Sequence, residues 1–106
     1  MWSIVYVNAL AKAEVDGLPR HLRASFERII AMIRSHGLER MREPYVKPLG
    51  GKLWEMRLKG KDGIARSLYV TAAGRRVVVL RTFVKKSQKA PPREIKLALE
   101  RAKEMK

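Results

Sequence analysis

Between Leu53 and Lys59 apolar and polar residues alternate with a period of two. Trp54, Met56 and Leu58 fall on one side, and Glu55, Arg57 and Lys59 on the other. That period places successive side chains on opposite faces of a strand, so the segment predicts a strand with one face toward a core. A turn through Gly60–Gly63 leads to IARSLYVTA, and a second turn at Ala73-Gly74-Arg75 leads to RVVVLRTFV, which runs into Lys85-Lys86. These two runs are apolar at both parities and predict interior strands. Arg66 shares its parity with Ile64 and Leu68, and Arg81 with Val79 and Phe83. Each arginine is therefore expected where core gives way to an open concave surface.

Upstream, WSIVYV at residues 2–7 is β-branched and aromatic and predicts a first strand. ALAKAEV follows as a short helix, interrupted at Asp16-Gly17-Leu18-Pro19. Pro19 suits the first turn of a longer helix over about Pro19–Ser35. That helix carries Leu22, Phe26, Ile29, Ile30 and Ile33 on one face, and Gly37 suits its C-terminal cap. Leu38–Glu43 predicts a short helical turn before Pro44. Tyr45–Leu49 predicts an edge strand, because Pro48 lacks a ladder donor. From Pro91 onward, Ile95, Ala98, Leu99 and Ala102 mark a C-terminal helix.

The predicted class is α+β: a small, mostly antiparallel β-sheet with N-terminal helices packed on one face, and a C-terminal helix. The helices are expected to cover the Trp54 face and leave the charged face open. At 106 residues the chain is expected to form a single domain, residues 1–106. Its content, 46% hydrophobic and 32% charged, suits a folded protein and not a disordered one. No run is long enough for a transmembrane helix, the N-terminus lacks the basic start of a signal peptide, and there is no cysteine. A cytoplasmic location without membrane contact is the expectation.

Charge changes the picture. The net charge is +14, and residues 47–106 carry most of it, with 17 Lys+Arg against 5 Asp+Glu. A field of that sign concentrates polyanions, nucleic acid above all. Arginine and lysine are costly to bury unpaired, so three strand-interior arginines (Arg57, Arg66, Arg81) point to a face that meets anions.

The catalytic inventory is short. His21 and His36 lie on or at the end of the first long helix, away from the basic sheet, and are expected to be surface or capping residues. Trp54 and Phe83 are expected in the core. Gly50-Gly51-Lys52 lacks the strand and helix context of a phosphate loop and predicts a plain turn. No metal-ligand spacing is visible, and no cofactor is expected. What remains is Glu55, Arg57, Arg66, Arg81, Lys85 and Lys86. Such a set can bind phosphate passively. It can also cleave RNA, which brings its own 2′-OH nucleophile and needs positioning and charge stabilisation. Composition and spacing stop at a basic α+β domain that contacts RNA or DNA.

Motif order goes further. Lys47–Leu49, Leu53–Arg57 (LWEMR), Arg66–Tyr69, Leu80–Pro91 (with FVKKSQKAP) and Glu94–Leu97 follow one another across Val46 to the C-terminus. In that order they closely resemble the HigB-type, phage-associated branch of the RelE/ParE toxin superfamily. The resemblance implies a RelE-like fold and the toxin half of a type II toxin–antitoxin pair. Its activity would be metal-independent mRNA endoribonuclease action on the ribosome. Its partners would be mRNA, the ribosome and a cognate antitoxin of helix-turn-helix type. By position Arg57 and Arg66 would clamp the scissile phosphate, Lys85 and Lys86 would supply transition-state charge, and Glu55 or a nearby lysine would act as base. Lys52, Lys59, Arg81 and Lys89 would contact RNA. Many relatives carry a histidine just before the phenylalanine of the last strand, where this chain has Leu80-Arg81-Thr82-Phe83. That departure leaves the general acid or base open. Two alternatives remain at this level: a gyrase-inhibiting toxin that cuts nothing, and a generic RNA-binding domain.

Overall fold

Four strands in succession, β2 (Val46–Gly50), β3 (Leu53–Gly60), β4 (Gly63–Ala72) and β5 (Arg76–Lys85), form an antiparallel meander in this computed structural model. The structure describes residues 1–86 and 91–105. The first strand, β1 (Ser3–Tyr6), adds to β5 in parallel, giving a five-stranded mixed sheet in the order β1-β5-β4-β3-β2. Two helices, α1 (Ala9–Asp16) and α2 (Arg20–His36), and a 3₁₀ turn at Leu38–Arg40 lie between β1 and β2. α3 (Pro92–Ala102) follows β5. Pro48 sits on the outer strand β2, where a missing N–H costs no ladder bond.

Helix α2 forms because Leu22, Phe26, Ile29, Ile30 and Ile33 recur at helical spacing and are all buried. They pack on the sheet face that carries Met56, Leu58, Ala65, Tyr69, Val77 and Val79. Gly37 ends the helix at φ 88°, a conformation open to glycine, and its N–H donates to Ile33 O at 2.8 Å. Pro19 occupies the N-cap position and has no capping side chain. Asp62, from the β3–β4 turn, takes over that role. It accepts from His21 N at 2.9 Å and lies 3.1 Å from His21 Nδ1.

The opposite face of the sheet is not open along its whole length. Leu53, Leu68, Val70, Val78, Leu80 and Phe83 form a second core with Ala98 of α3, and Ile95 and Ala102 pack against it. The C-terminal helix thus covers part of the face expected to be free, because an apolar stripe shows that a helix packs but not against which face. Trp54 is also corrected. It lies on the α2 face as alternation predicts, but it is 37% exposed and lines a cavity of about 320 Å³ with Trp2, Leu38 and Tyr69. Phe83 is core, at 7% exposure.

A bulge in β5 corrects the parity argument. Tyr69 pairs with Val79 and Leu68 with Arg81, so Leu80 is the extra residue. Val79 therefore joins the α2 core while Arg81, two residues on, shares the α3 face with Leu68. Beyond Val79 the outer edge of β5 is no longer paired with β1. Side chains serve that edge instead: Thr82 N donates to Glu14 Oε1 at 3.2 Å, and Arg101 Nη1 donates to Leu80 O at 2.9 Å.

The β3–β4 turn approaches α2 so closely that a Cβ on Gly60 would lie 2.8 Å from His21 Cβ and 3.0 Å from its carbonyl carbon. Gly60→Ala is expected to cost about 1–3 kcal/mol through this overlap. Thermal unfolding should show a midpoint at least ~4 °C lower. An unchanged midpoint would contradict the close approach.

Candidate functional site

Register brings the charged side chains of β2 to β5 together. On β3, Glu55, Arg57 and Lys59 share a face by alternation. Antiparallel pairing places Lys47 and Leu68 beside Glu55, Arg66 beside Arg57, and Ile64 beside Lys59. One strand further, Arg66 pairs with Phe83 and Ile64 with Lys85. Glu55, Arg57, Arg66 and Lys85 thus form one patch on the α3 face, where the second core ends.

The patch is unusually buried for its charge. Glu55 is 4% exposed, Arg66 3% and Lys85 7%. Glu55 Oε2 lies 3.5 Å from Arg66 Nε and 3.6 Å from Arg57 Nε, so one carboxylate oxygen is shared by two guanidinium groups. Arg66 Nη1 also donates to Ala65 O at 3.0 Å. Among the described residues, Glu55 Oε1 and Arg66 Nε make no hydrogen bond although both are buried. A buried acceptor and donor without hydrogen-bond partners are costly in a purely structural sheet, and mark a place where another molecule can supply them. Arg57 is the more open member, and beside it lies a cavity of about 250 Å³ lined by Pro44, Arg57, Lys59, Ile64 and Arg66.

Electrostatics follow from this crowding. Burial lowers the Lys85 pKa below the ordinary lysine value, and the charge of Arg66 lowers it further, while Glu55 pulls the other way. Burial, opposed by Glu55, also lowers that of Arg66. The arrangement can hold a phosphoryl group between Arg57, Arg66 and Lys85, with a carboxylate at its edge.

The other expected residues are placed differently. Lys59 stands on the cavity rim and is exposed. Lys86 is exposed just past the end of β5. Lys52 lies in the β2–β3 turn, ~16 Å along the strand from Arg57. Lys89 falls outside the described residues.

Arg81 lies in a separate ion cluster. It donates from Nε to Glu94 Oε1 at 2.9 Å and from Nη2 to Glu94 Oε2 at 3.2 Å, and pairs through Nη1 with Glu14 Oε2 at 2.6 Å. Arg101 completes the cluster at 2.8 Å from Glu14 Oε1. With two carboxylates on it, Arg81 ties α1, β5 and α3 together and is not presented to an incoming anion.

Sequence reasoning missed Lys47 and the apolar wall of Pro44 and Ile64. Lys47 stands across from Glu55, and its charge helps lower the Lys85 pKa. The signal was available in outline: the Gly50-Gly51 turn joins β2 to β3, and such a hairpin sets Lys47 opposite that part of β3. His21 and His36 lie outside the patch; His21 is held by Asp62 and His36 is exposed at the end of α2.

The ion cluster gives a pH-linked prediction. Burial raises the pKa of Glu14, but hydrogen bonds from Arg101, the Thr82 backbone and Arg81 outweigh it and hold the carboxyl below its ordinary value. A depressed folded-state pKa adds stability that is present above the unfolded pKa, ~4.3, and lost as pH falls through the folded one. The thermal midpoint should therefore fall on acidification below about pH 5. Glu14→Gln should cost about 2–3 kcal/mol at neutral pH and show a flatter acid limb in the same melts. An acid limb identical to wild type would remove Glu14 from this role.

The family model of phage-derived Gp49-like proteins (DUF891) matches residues 13–103, a span that contains α2, β2 to β5 and α3. No curated protein matches the chain. The family is phage-derived and toxin-like, is associated with RelE/HigB-type toxins, and generally implies an antitoxin partner. Among the described residues no helix is long and apolar enough to cross a membrane. By a match over most of its length, the chain belongs to the phage-derived Gp49-like family.

Proposed function

We propose that this protein is a HigB-type toxin that cleaves mRNA on the ribosome in the cytoplasm without a metal ion. A co-encoded antitoxin of helix-turn-helix type restrains it. The observation that carries the reading is the buried Glu55–Arg57–Arg66–Lys85 patch, with its carboxylate shared between two guanidinium groups and its cavity walled by Arg57, Lys59 and Arg66. Arg57 and Arg66 share a single carboxylate oxygen, and a phosphodiester would supply these two guanidinium groups with further negative charge.

The chemistry uses RNA's own nucleophile. Arg57 and Arg66 grip the non-bridging oxygens of the scissile phosphate and hold the adjacent 2′-OH in line with it. Glu55 accepts the proton as the 2′-oxygen attacks phosphorus. The bond from phosphorus to the 5′-oxygen breaks and that oxygen takes up a proton from solvent, leaving a 2′,3′-cyclic phosphate and a 5′-OH. The Lys85 ammonium stabilises charge that develops in the transition state. Lys47 and Lys59, and Lys86 past the strand end, extend the positive field along the RNA.

The test is primer extension on a defined mRNA, with and without programmed ribosomes. Cuts at codon positions only in the presence of ribosomes are expected, and Arg57→Ala should lower kcat by about 10²–10³. Cuts on naked RNA would remove ribosome dependence, and no cuts under either condition would remove the nuclease.

A pH profile checks Lys85. Because its pKa is lowered, the ammonium is lost as pH rises toward, but still below, the ordinary lysine value. Cleavage should decline there, and Lys85→Arg should move the decline to higher pH. A decline unmoved by Lys85→Arg would assign the titration to another group.

A further inference from the structure

The segment from Glu43 to Tyr45 divides two cavities. Pro44 lines the one at Arg57 and Arg66, while Glu43 and Tyr45 line a larger one of about 660 Å³ with Met32, Arg40, Met41 and Arg42. The two linings meet through the backbone, where Tyr45 O accepts from Arg57 N at 2.8 Å. Nothing in the cleavage mechanism uses the second cavity.

Its chemistry is that of a nucleotide subsite. Tyr45 is 42% exposed, and Arg40 is exposed beside it. The loop is braced by Arg42, whose Nη1 donates to Glu39 O at 3.0 Å and Met41 O at 3.2 Å. Met32, half-buried, and Met41, buried, give an apolar floor. An aromatic ring, thioether contacts and a guanidinium together suit a base and its phosphate. The volume lies within the range of small-molecule sites, about 300–1,000 Å³.

We propose that this second cavity binds a nucleotide flanking the scissile phosphate, its base against Tyr45 and its phosphate on Arg40. The strand crosses the Pro44 ridge from the cleavage patch to reach it. Glu43 sets a preference, because its carboxylate accepts from the exocyclic amino group of adenine, cytosine or guanine, whereas uracil offers only its ring N3–H. This subsite rests on the RNA-cleaving reading of the neighbouring patch.

Methionine methyl NMR tests it without requiring cleavage. Of the five methionines, Met32 and Met41 line the cavity and Met56 is buried under α2. Titration with 2′-deoxy dinucleotides should shift the Met32 and Met41 methyls saturably and leave Met56 in place. Binding should weaken in Tyr45→Ala and Arg40→Ala. The adenine and cytosine dinucleotides should bind more tightly than the uracil one, and Glu43→Gln should narrow that difference.

In the ribosome assay, Tyr45→Ala should raise KM about tenfold or more with kcat little changed, and should redistribute the cut sites. Wild-type cleavage with unchanged KM and cut sites in Tyr45→Ala would overturn the subsite and leave the nuclease standing. If the wild type cuts nothing, the nuclease reading falls and the NMR titration alone decides the cavity. Methyl shifts produced by the antitoxin and by no dinucleotide would overturn the subsite in favour of a protein-docking surface.

Discussion

A buried guanidinium needs a nearby negative charge, and Glu55 provides it for Arg57 and Arg66 from a single oxygen at 3.5–3.6 Å. Removing that carboxylate would leave the like charges of Arg57 and Arg66 facing each other across β3 and β4. The interaction is incomplete, however. Arg57 and Arg66 share that one carboxylate oxygen, and Glu55 Oε1 and Arg66 Nε lack hydrogen bonds among the described residues. The fold tolerates this arrangement because both faces of the sheet are secured elsewhere. The α2 core lies behind the patch, and the α3 core lies at its end.

The second ion cluster belongs to the same logic but reaches the opposite outcome. Arg81 has two carboxylates on it, and Arg101 shares one of them, so the charges balance. That cluster closes the open edge of β5 and holds α1 and α3 against the strand. Arg81 on the one hand, and Arg57 with Arg66 on the other, thus differ in the number of carboxylates supplied to each. At Arg57 and Arg66, beside the cavity, one carboxylate serves both guanidinium groups.

Much of the fold is legible in local patterns. The alternation of Leu53–Lys59, the apolar stripe of α2, Gly37 as its cap and Pro48 on an edge strand are each short-range signals, and each sets structure directly. The convergence of Glu55, Arg57, Arg66 and Lys85 is also legible, since two hairpin turns fix the register that joins them. What escapes is non-local. VVVLRTFV does not reveal that Leu80 is a bulge, which puts Arg81 on the face of Phe83 but not on that of Val79. Its partners Glu14 and Glu94 lie on two different helices that only packing brings together. The same holds for α3, whose amphipathic pattern leaves open which sheet face it covers, and for Trp54, which the helix leaves half-uncovered.

The central claim is that this site contributes positioning and charge, while RNA contributes the nucleophile. The most direct test replaces the ribose at a mapped cut site by 2′-deoxyribose in an otherwise unchanged mRNA and measures cleavage on programmed ribosomes. Cleavage at that position should disappear, and cuts at neighbouring riboses should persist. Undiminished cleavage at the deoxy position would require a nucleophile other than the 2′-OH and would contradict the account.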